Sequence, residues 1–394
     1  QNGSDWTLRC GTLFPCLGWR RALCAVAALR MKRPMVAEVL PLQPQSASGA
    51  PPAKKICPGG IQVQNGMEAH QTPISLWEAF EHLVQQYADS AAVEDVCDGW
   101  SYHQLHEAAL RISSNLLKQQ SRDTFSPSTP LAVLMRRTCK WVAACLAAAR
   151  LAMPLLALSG DLKSQDEATR NREAIEEHQP GIIVLDMALR ETTAAQSALL
   201  AAEARSGGHV IPVVDVELLL MDTETLCGVL QPRNIHDPLY LVYTGGTTSA
   251  SKCVVVTNEM ALHELQVYPK IAPLTANDRV LHQSSAFWGA TCLGIFDIPW
   301  ACGACLVLDE GGAGPAEVAQ AIQNYSITVV GLVPSVLEAL DESRCESLRL
   351  VFTWGEALSV ATAARWSCRV ALLDLLIASE YWLILYADHS VSAS

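Results

Sequence analysis

From Ile74 onward, apolar positions recur with two alternating periods. Leu76, Trp77, Phe80, Leu83, Val84 and Tyr87 fall on one helical face, the spacing that buries a single stripe of a helix. Ser75-x-x-Glu78 opens that run as a capping box, in which a hydroxyl and a carboxylate each take up a backbone N–H left orphaned at the helix start. The helical period returns over Tyr102–Gln119 through Leu105, Ala109, Ile112 and Leu116. Leu131–Met135 predicts a strand, residues 140–150 a helix, and Ile182–Leu185 and residues 209–214 two further strands with helical stretches between them. Strands interleaved with helices predict an α/β chain with mixed or parallel sheets covered on both faces. No repeat period appears. The long apolar stretch 370–387 contains Asp374 and Glu380 and is too charged for a membrane span.

One segment breaks this rhythm. Between the strand-like runs 239–243 and 253–257 the chain reads Thr244-Gly-Gly-Thr-Thr-Ser-Ala-Ser-Lys252. Small residues let backbone N–H groups converge, hydroxyls add donors, and a lysine adds a mobile positive charge, a combination suited to a polyphosphate. The plainer reading is a solvated loop, since Gly/Ser/Thr clusters are ordinary loop material. A P-loop is excluded because Lys252 is followed by Cys-Val-Val-Val rather than by Ser/Thr and a helix. No dinucleotide fingerprint follows a strand and opens a helix here.

On these residues the chain resembles the adenylate-forming (AMP-binding) enzymes, which include acyl-CoA ligases and the adenylation domains of nonribosomal peptide synthetases. Their loop reads Tyr-Thr-Ser-Gly-Thr-Thr-Gly-x-Pro-Lys-Gly-Val. Tyr243, Thr244, Gly246, Thr247, Thr248, Lys252 and Val254 match it without a gap, whereas Gly245, Ser249, Ser251 and Cys253 depart from it, and the histidine that follows falls on Asn258. The segments 278–296, 326–340 and 348–358 resemble the next three family segments in order. Upstream, 99–105 and 146–158 resemble the segments where the fold begins. The resemblance runs from Ile74 to Glu380.

It implies the large N-terminal domain of the adenylate-forming fold, with stacked α/β subdomains, spanning residues 71–394 and incomplete at its C-terminus. The small C-terminal α+β domain, with its catalytic lysine, has no counterpart after Glu380. It also implies a reaction in which a carboxylate attacks the α-phosphorus of ATP, pyrophosphate leaves, and the acyl-adenylate is passed to the thiol of coenzyme A or a phosphopantetheine carrier. Thr244, Gly245, Gly246, Thr247 and Thr248 become the phosphate cradle and Lys252 its counter-charge. Glu380 becomes the magnesium ligand, matching the end of the family's Tyr-Gly-x-Thr-Glu motif. Phe287, Trp288, Gly289, Trp354 and Gly355 fall at the acid pocket. The family's Phe-Asp pair, whose aspartate meets an α-ammonium group, becomes Trp288-Gly289, which favours an acyl, aryl or keto acid because a desolvated ammonium without a counter-charge is costly. Three readings stay open: an incomplete ligase, a module that binds nucleotide or acyl group without turnover, and a decayed enzyme-like scaffold. The expected partners are a small carboxylic acid and a carrier domain or the missing C-terminal domain.

Composition adds limits. A chain of 394 residues, 50% hydrophobic and 17% charged, is long enough for at least two domain-sized units. The net charge of −12 comes without a basic patch interleaved with aromatics, which argues against nucleic acid. Residues 1–60 hold eight Lys/Arg against two Asp/Glu, so the negative charge lies wholly beyond them. Residues 1–70 therefore form an extension with three readings, namely a disordered tail, a targeting segment, or upstream translation ahead of Met31 or Met35. Fourteen cysteines are scattered, which favours a reducing compartment, the cytoplasm. Cys302-Gly-Ala-Cys305 is the only CxxC and has no second ligand pair, so a structural turn is expected there.

Overall fold

The first helix starts where its cap requires. In the computed structural model, which describes residues 73–119, 128–160, 165–204, 210–223, 225, 234–244, 252–284, 297–379 and 382–390, the Ser75 hydroxyl accepts the Glu78 N–H at 3.2 Å. Helix α1, Leu76–Tyr87, buries Leu76, Trp77 and Phe80. The return half of the box is displaced by one residue, since Glu78 Oε2 accepts the N–H of Ile74 at 2.8 Å.

The chain continues through β1 (Ala91–Glu94), β2 (Gly99–Ser101), α2 (Tyr102–Gln119), β3 (Leu131–Met135), α3 (Cys139–Leu151), β4 (Leu155–Ser159), α4 (Gln165–His178), β5 (Ile182–Leu185), α5 (Thr193–Glu203), β6 (Val213–Asp215), α6 (Val216–Met221), β7 (Pro238–Thr244), β8 (Lys252–Thr257) and α7 (Asn258–Ile271). It ends with β9 (Arg279–His282), β10 (Cys305–Leu308), α8 (Pro315–Tyr325), β11 (Val329–Leu332), α9 (Pro334–Ala339), β12 (Leu350–Thr353), α10 (Val360–Ser367), β13 (Ala371–Ala378) and β14 (Trp382–Asp388). Two sheets result. One has six strands in the order β6-β5-β3-β4-β7-β8, the other eight in the order β14-β13-β12-β11-β9-β10-β1-β2. The β7–β8, β1–β2 and β13–β14 pairs are antiparallel and every other pair is parallel.

Alternation across the strands explains why both sheets are covered twice. In β3, Leu131, Val133 and Met135 join the core that α2 and α3 close, while Ala132 and Leu134 join the one under α4 and α5. In the second sheet, Val330, Leu332 and Val351 face one core, and Val329, Leu350 and Phe352 the other. Each fully buried aliphatic of this kind contributes about 1.5–3 kcal/mol. Helix α3 is buried all round apart from Lys140, as expected of a helix without a polar face.

One expectation changes. The strand expected over 209–214 is found only as Val213–Asp215. Pro212 has no N–H to give a ladder, although its carbonyl still accepts from Ile183 at 2.9 Å. The apolar stretch 370–387 is a hairpin, β13 and β14, with Ala378 paired to Trp382, so the tail completes a sheet edge. Among the described residues no helix is long and apolar enough to cross a membrane. At the CxxC, Gly303 takes φ +77°, and burial pushes the Cys302 and Cys305 thiols up to about 11, which keeps both protonated at neutral pH.

Candidate nucleotide and acid site

The β-branched run Val254–Val256 and its partner β7 form a hairpin whose last register pair is Thr244 with Lys252. The Thr244 hydroxyl donates to the Lys252 carbonyl at 3.5 Å, a long contact that leaves it free to reorient. Lys252 is exposed, and no carboxylate among the described residues is paired with it. The hairpin thus brings together the two described members of the expected cradle. Gly245, Gly246, Thr247 and Thr248 lie outside the described residues. Beyond Lys252 the strand continues to Thr257 and the helix begins only at Asn258, so the lysine is not at a helix start.

In parallel sheets, ligand clefts lie beyond the carboxyl ends of the strands. Thr244 ends β7 and shares that edge with the ends of β3, β4, β5 and β6. Polar ties join this edge to the matching ends of the second sheet. Arg137, just past β3, donates from Nη1 to the Ser284 carbonyl, just past β9, at 3.1 Å. Its neighbour Arg136 lies 3.8 Å from Asp186 and 3.9 Å from Glu310. Asp95, just past β1, accepts the Cys139 N–H that starts α3 at 2.7 Å. It also takes the N–H groups of Cys97 and Asp98 at 2.7 and 2.8 Å. Burial pushes the Asp95 carboxyl up, but these three N–H bonds outweigh it and hold it below the usual range.

On the second sheet Trp354 and Gly355 follow β12. Gly355 adopts φ +83°, a backbone region that glycine enters without a Cβ penalty. The Trp354 ring lies directly over Gly331 of β11, where a Cβ would come within 1.8 Å of the ring. Gln283 Nε2 donates to the Gly331 carbonyl at 2.9 Å and fixes the end of β9 against the same strand. Phe287, Trp288 and Gly289, the other expected pocket residues, lie outside the described residues. Glu380 does too. On either side of it in the chain, Ala378 and Trp382 are register partners.

Sequence reasoning missed Arg137 and Asp95 at this edge, and Asn258 and Asp278 at the amino ends of the strands. Asn258, noted only as standing in place of a histidine, is fully buried, with its Oδ1 accepting the Leu76 N–H at 3.0 Å and its Nδ2 donating to the Asp237 carbonyl at 3.4 Å. It locks the start of α1 to the approach of the hairpin. Asp278 accepts from Thr275 and Thr328 and is paired with Arg349. Burial pushes its carboxyl up, and the Arg349 and threonine bonds bring it below the usual range. Asp95-x-Cys97-Asp98-Gly was a legible signal, because an aspartate before such a turn commonly accepts N–H groups two and three residues on. Arg137 carried none.

The AMP-binding enzyme family matches residues 80–383. Apicidin F synthase of Gibberella fujikuroi is 30% identical over 170 residues, which are 42% of this chain and 3% of that protein. Tyrocidine synthase 2 of Brevibacillus parabrevis is 24% identical over 302 residues, 76% of this chain and 8% of that one. The chain thus spans a small part of the length of these relatives. Among solved structures, the N-terminal subdomain of Klebsiella oxytoca NpsA, in complex with 3-hydroxyanthranilyl-AMSN, matches with a TM-score of 0.66 at 14% identity, over 81% of this chain and 78% of that one. That likeness is one of fold: two mixed sheets and their helices form the large N-terminal domain of the adenylate-forming architecture.

Proposed function

The chain belongs to the AMP-binding enzyme family, and from that premise we propose that it activates a carboxylic acid with ATP for transfer to the thiol of coenzyme A or of a phosphopantetheine carrier domain. The acid's carboxylate oxygen forms a bond to the α-phosphorus, the bond from that phosphorus to the bridging oxygen breaks, and pyrophosphate leaves with the electron pair. The observation that carries this reading is the hairpin mouth, where the hydroxyl of Thr244 and the exposed ammonium of Lys252 are held as a register pair. Both are suited to the β- and γ-phosphates, and a positive group fixed beforehand near the leaving pyrophosphate is worth most as charge develops there. Gly245, Gly246, Thr247 and Thr248 supply further N–H and hydroxyl donors between them.

Magnesium takes oxygen ligands and usually only one or two from protein; the Glu380 carboxylate is the residue proposed to hold it. When bound, the ion neutralises charge on the phosphates. Trp354 supplies a flat apolar wall for the acid, with Phe287 and Trp288, and Gly289 leaves an α-ammonium group without a counter-charge. The acid class proposed is therefore acyl, aryl or keto, in a reducing compartment such as the cytoplasm.

A second reading is nucleotide binding with little or no turnover. It is favoured by the loop itself, where serines replace a glycine and the proline at Ser249 and Ser251 and a cysteine replaces a glycine at Cys253. Losing the proline leaves a less pre-organised loop. Two measurements separate the readings. ATP with magnesium raises the melting temperature under both, by mass action, and Lys252→Ala weakens that binding by roughly 10- to 150-fold, the equivalent of about 1.5–3 kcal/mol for a charge-assisted bond. Acid-dependent ATP–pyrophosphate exchange across amino, aryl, keto and fatty acids occurs only under the first. An unchanged ATP shift in Lys252→Ala places the nucleotide elsewhere and removes the premise of both.

A further inference from the structure

Helix α7 and the turn that opens at Asp297 bury two carboxyl groups in an apolar core. Glu264 is 1% exposed and Asp297 0%. Among the described residues neither Asp297 oxygen has a hydrogen-bond partner, and neither does Glu264 Oε2. Glu264 Oε1 accepts the Leu383 N–H of β14 at 3.4 Å. Tyr268, one turn further along α7, points its hydroxyl toward Glu264 and feels the charge of both acids. No lysine, arginine or histidine among the described residues is paired with either carboxyl. His263, next in sequence to Glu264, feels Lys270 and Glu259 instead. Tyr268, one turn from Glu264, and Ile298, next in sequence to Asp297, belong to an apolar core with Val280, Phe352 and Leu375, against which Leu383 packs.

Two like charges without a counter-charge cannot both persist in such surroundings. We propose that Glu264 and Asp297 form a proton-holding pair that ties the seating of α7, the Asp297–Trp300 turn and β14 to pH. Burial pushes both carboxyls up, Glu264 to about 7 and Asp297 well above the carboxylate range, the latter also through the charge of Glu264. Because the folded values are raised, the pair's stabilisation is complete below the ordinary glutamate value of 4.5 and is lost as pH rises through about 7. The placement matters because α7 is the direct continuation of β8, which begins at Lys252, and β14 begins two residues after Glu380 in the chain.

The test is the melting temperature of the full chain from about pH 5 to about pH 9, for the wild type, Asp297→Asn and Glu264→Gln. Both substitutions keep the shape of a neutral carboxyl and cannot ionise. The wild type should fall by about 5 °C more than either variant over that range. An identical fall in all three overturns the proposal. Asp374, also raised by burial, is untouched in both variants and cancels in the comparison. Should a variant not fold, wild-type protein labelled with ¹³C at the glutamate carboxyls decides. One glutamate titrating near pH 7 supports the pair; all titrating in the ordinary range of about 4–5 overturns it. None of these readouts depends on ATP or acid turnover.

Discussion

Gly331 shows how much one missing methyl group can decide. Its Cα lies under the Trp354 ring, and a Cβ would sit 1.8 Å from ring carbon, well inside contact distance. Gly331→Ala must therefore displace the indole and is expected to cost about 1–3 kcal/mol, as overpacked cores do. A urea midpoint measured beside tryptophan emission reads both the loss and the ring's new environment. Asp278 makes the opposite kind of contribution, a carboxylate held ionised by Arg349 and two threonines. Its folded value is depressed, so its stabilisation is present above the ordinary aspartate value of 3.8 and is lost as pH falls through the lower folded one. Asp278→Asn should destabilise by about 2 kcal/mol at pH 7, a figure discounted for the partly exposed Arg349, and should flatten the acid limb of the stability curve. Neither role was legible from sequence. Gly331 sits in an unremarkable Val-Val-Gly-Leu run, and of the partners of Asp278 only Thr275 is near in the chain, Thr328 and Arg349 being 50 and 71 residues away.

Among elements, those with a clear period were legible to the residue or nearly so. Tyr102–Gln119, Leu131–Met135 and Ile182–Leu185 form as expected, because their apolar positions fit only one period. Residues 370–387 are apolar without a period, and such runs do not distinguish helix from strand. Pairing with β12 decides the outcome there. The junction of β1, β2 and α3 was legible only in its parts. Asp95 alone serves three N–H groups, two in the turn after β1 and one at the start of α3. Asp95→Ala removes a helix cap and a turn acceptor together and is expected to cost about 2 kcal/mol. Faster amide hydrogen exchange should appear at Cys97, Asp98 and Cys139 before it appears in the strands.

At the scale of the molecule, the proposed site is a seam. Its two described halves, Thr244 with Lys252 and Trp354 with Gly355, stand on different sheets, and the polar ties at Arg137 and Asp95 join neighbouring parts of the same two sheets, the end of β3 to that of β9 and the start of α3 to the end of β1. The proposed phosphate half was suggested by the unusual composition of its loop, while the proposed acid half rested on family resemblance, aromatics being more often plain core. The ties escaped notice because each bond spans residues far apart in the chain. Arg137→Ala should leave the far-ultraviolet spectrum unchanged and speed proteolysis near Ser284, which limited digestion followed by mass mapping will read. The same topology sets a timetable for synthesis. Val93 of the first hairpin pairs with Leu306, roughly 210 positions later, so a ribosome adding about 5–20 residues per second makes the hairpin wait about 10–40 s for its neighbour. Through that interval the nascent chain carries an unpartnered apolar strand, and the hairpin should be a chaperone contact in arrested nascent chains that ends once β10 has left the exit tunnel.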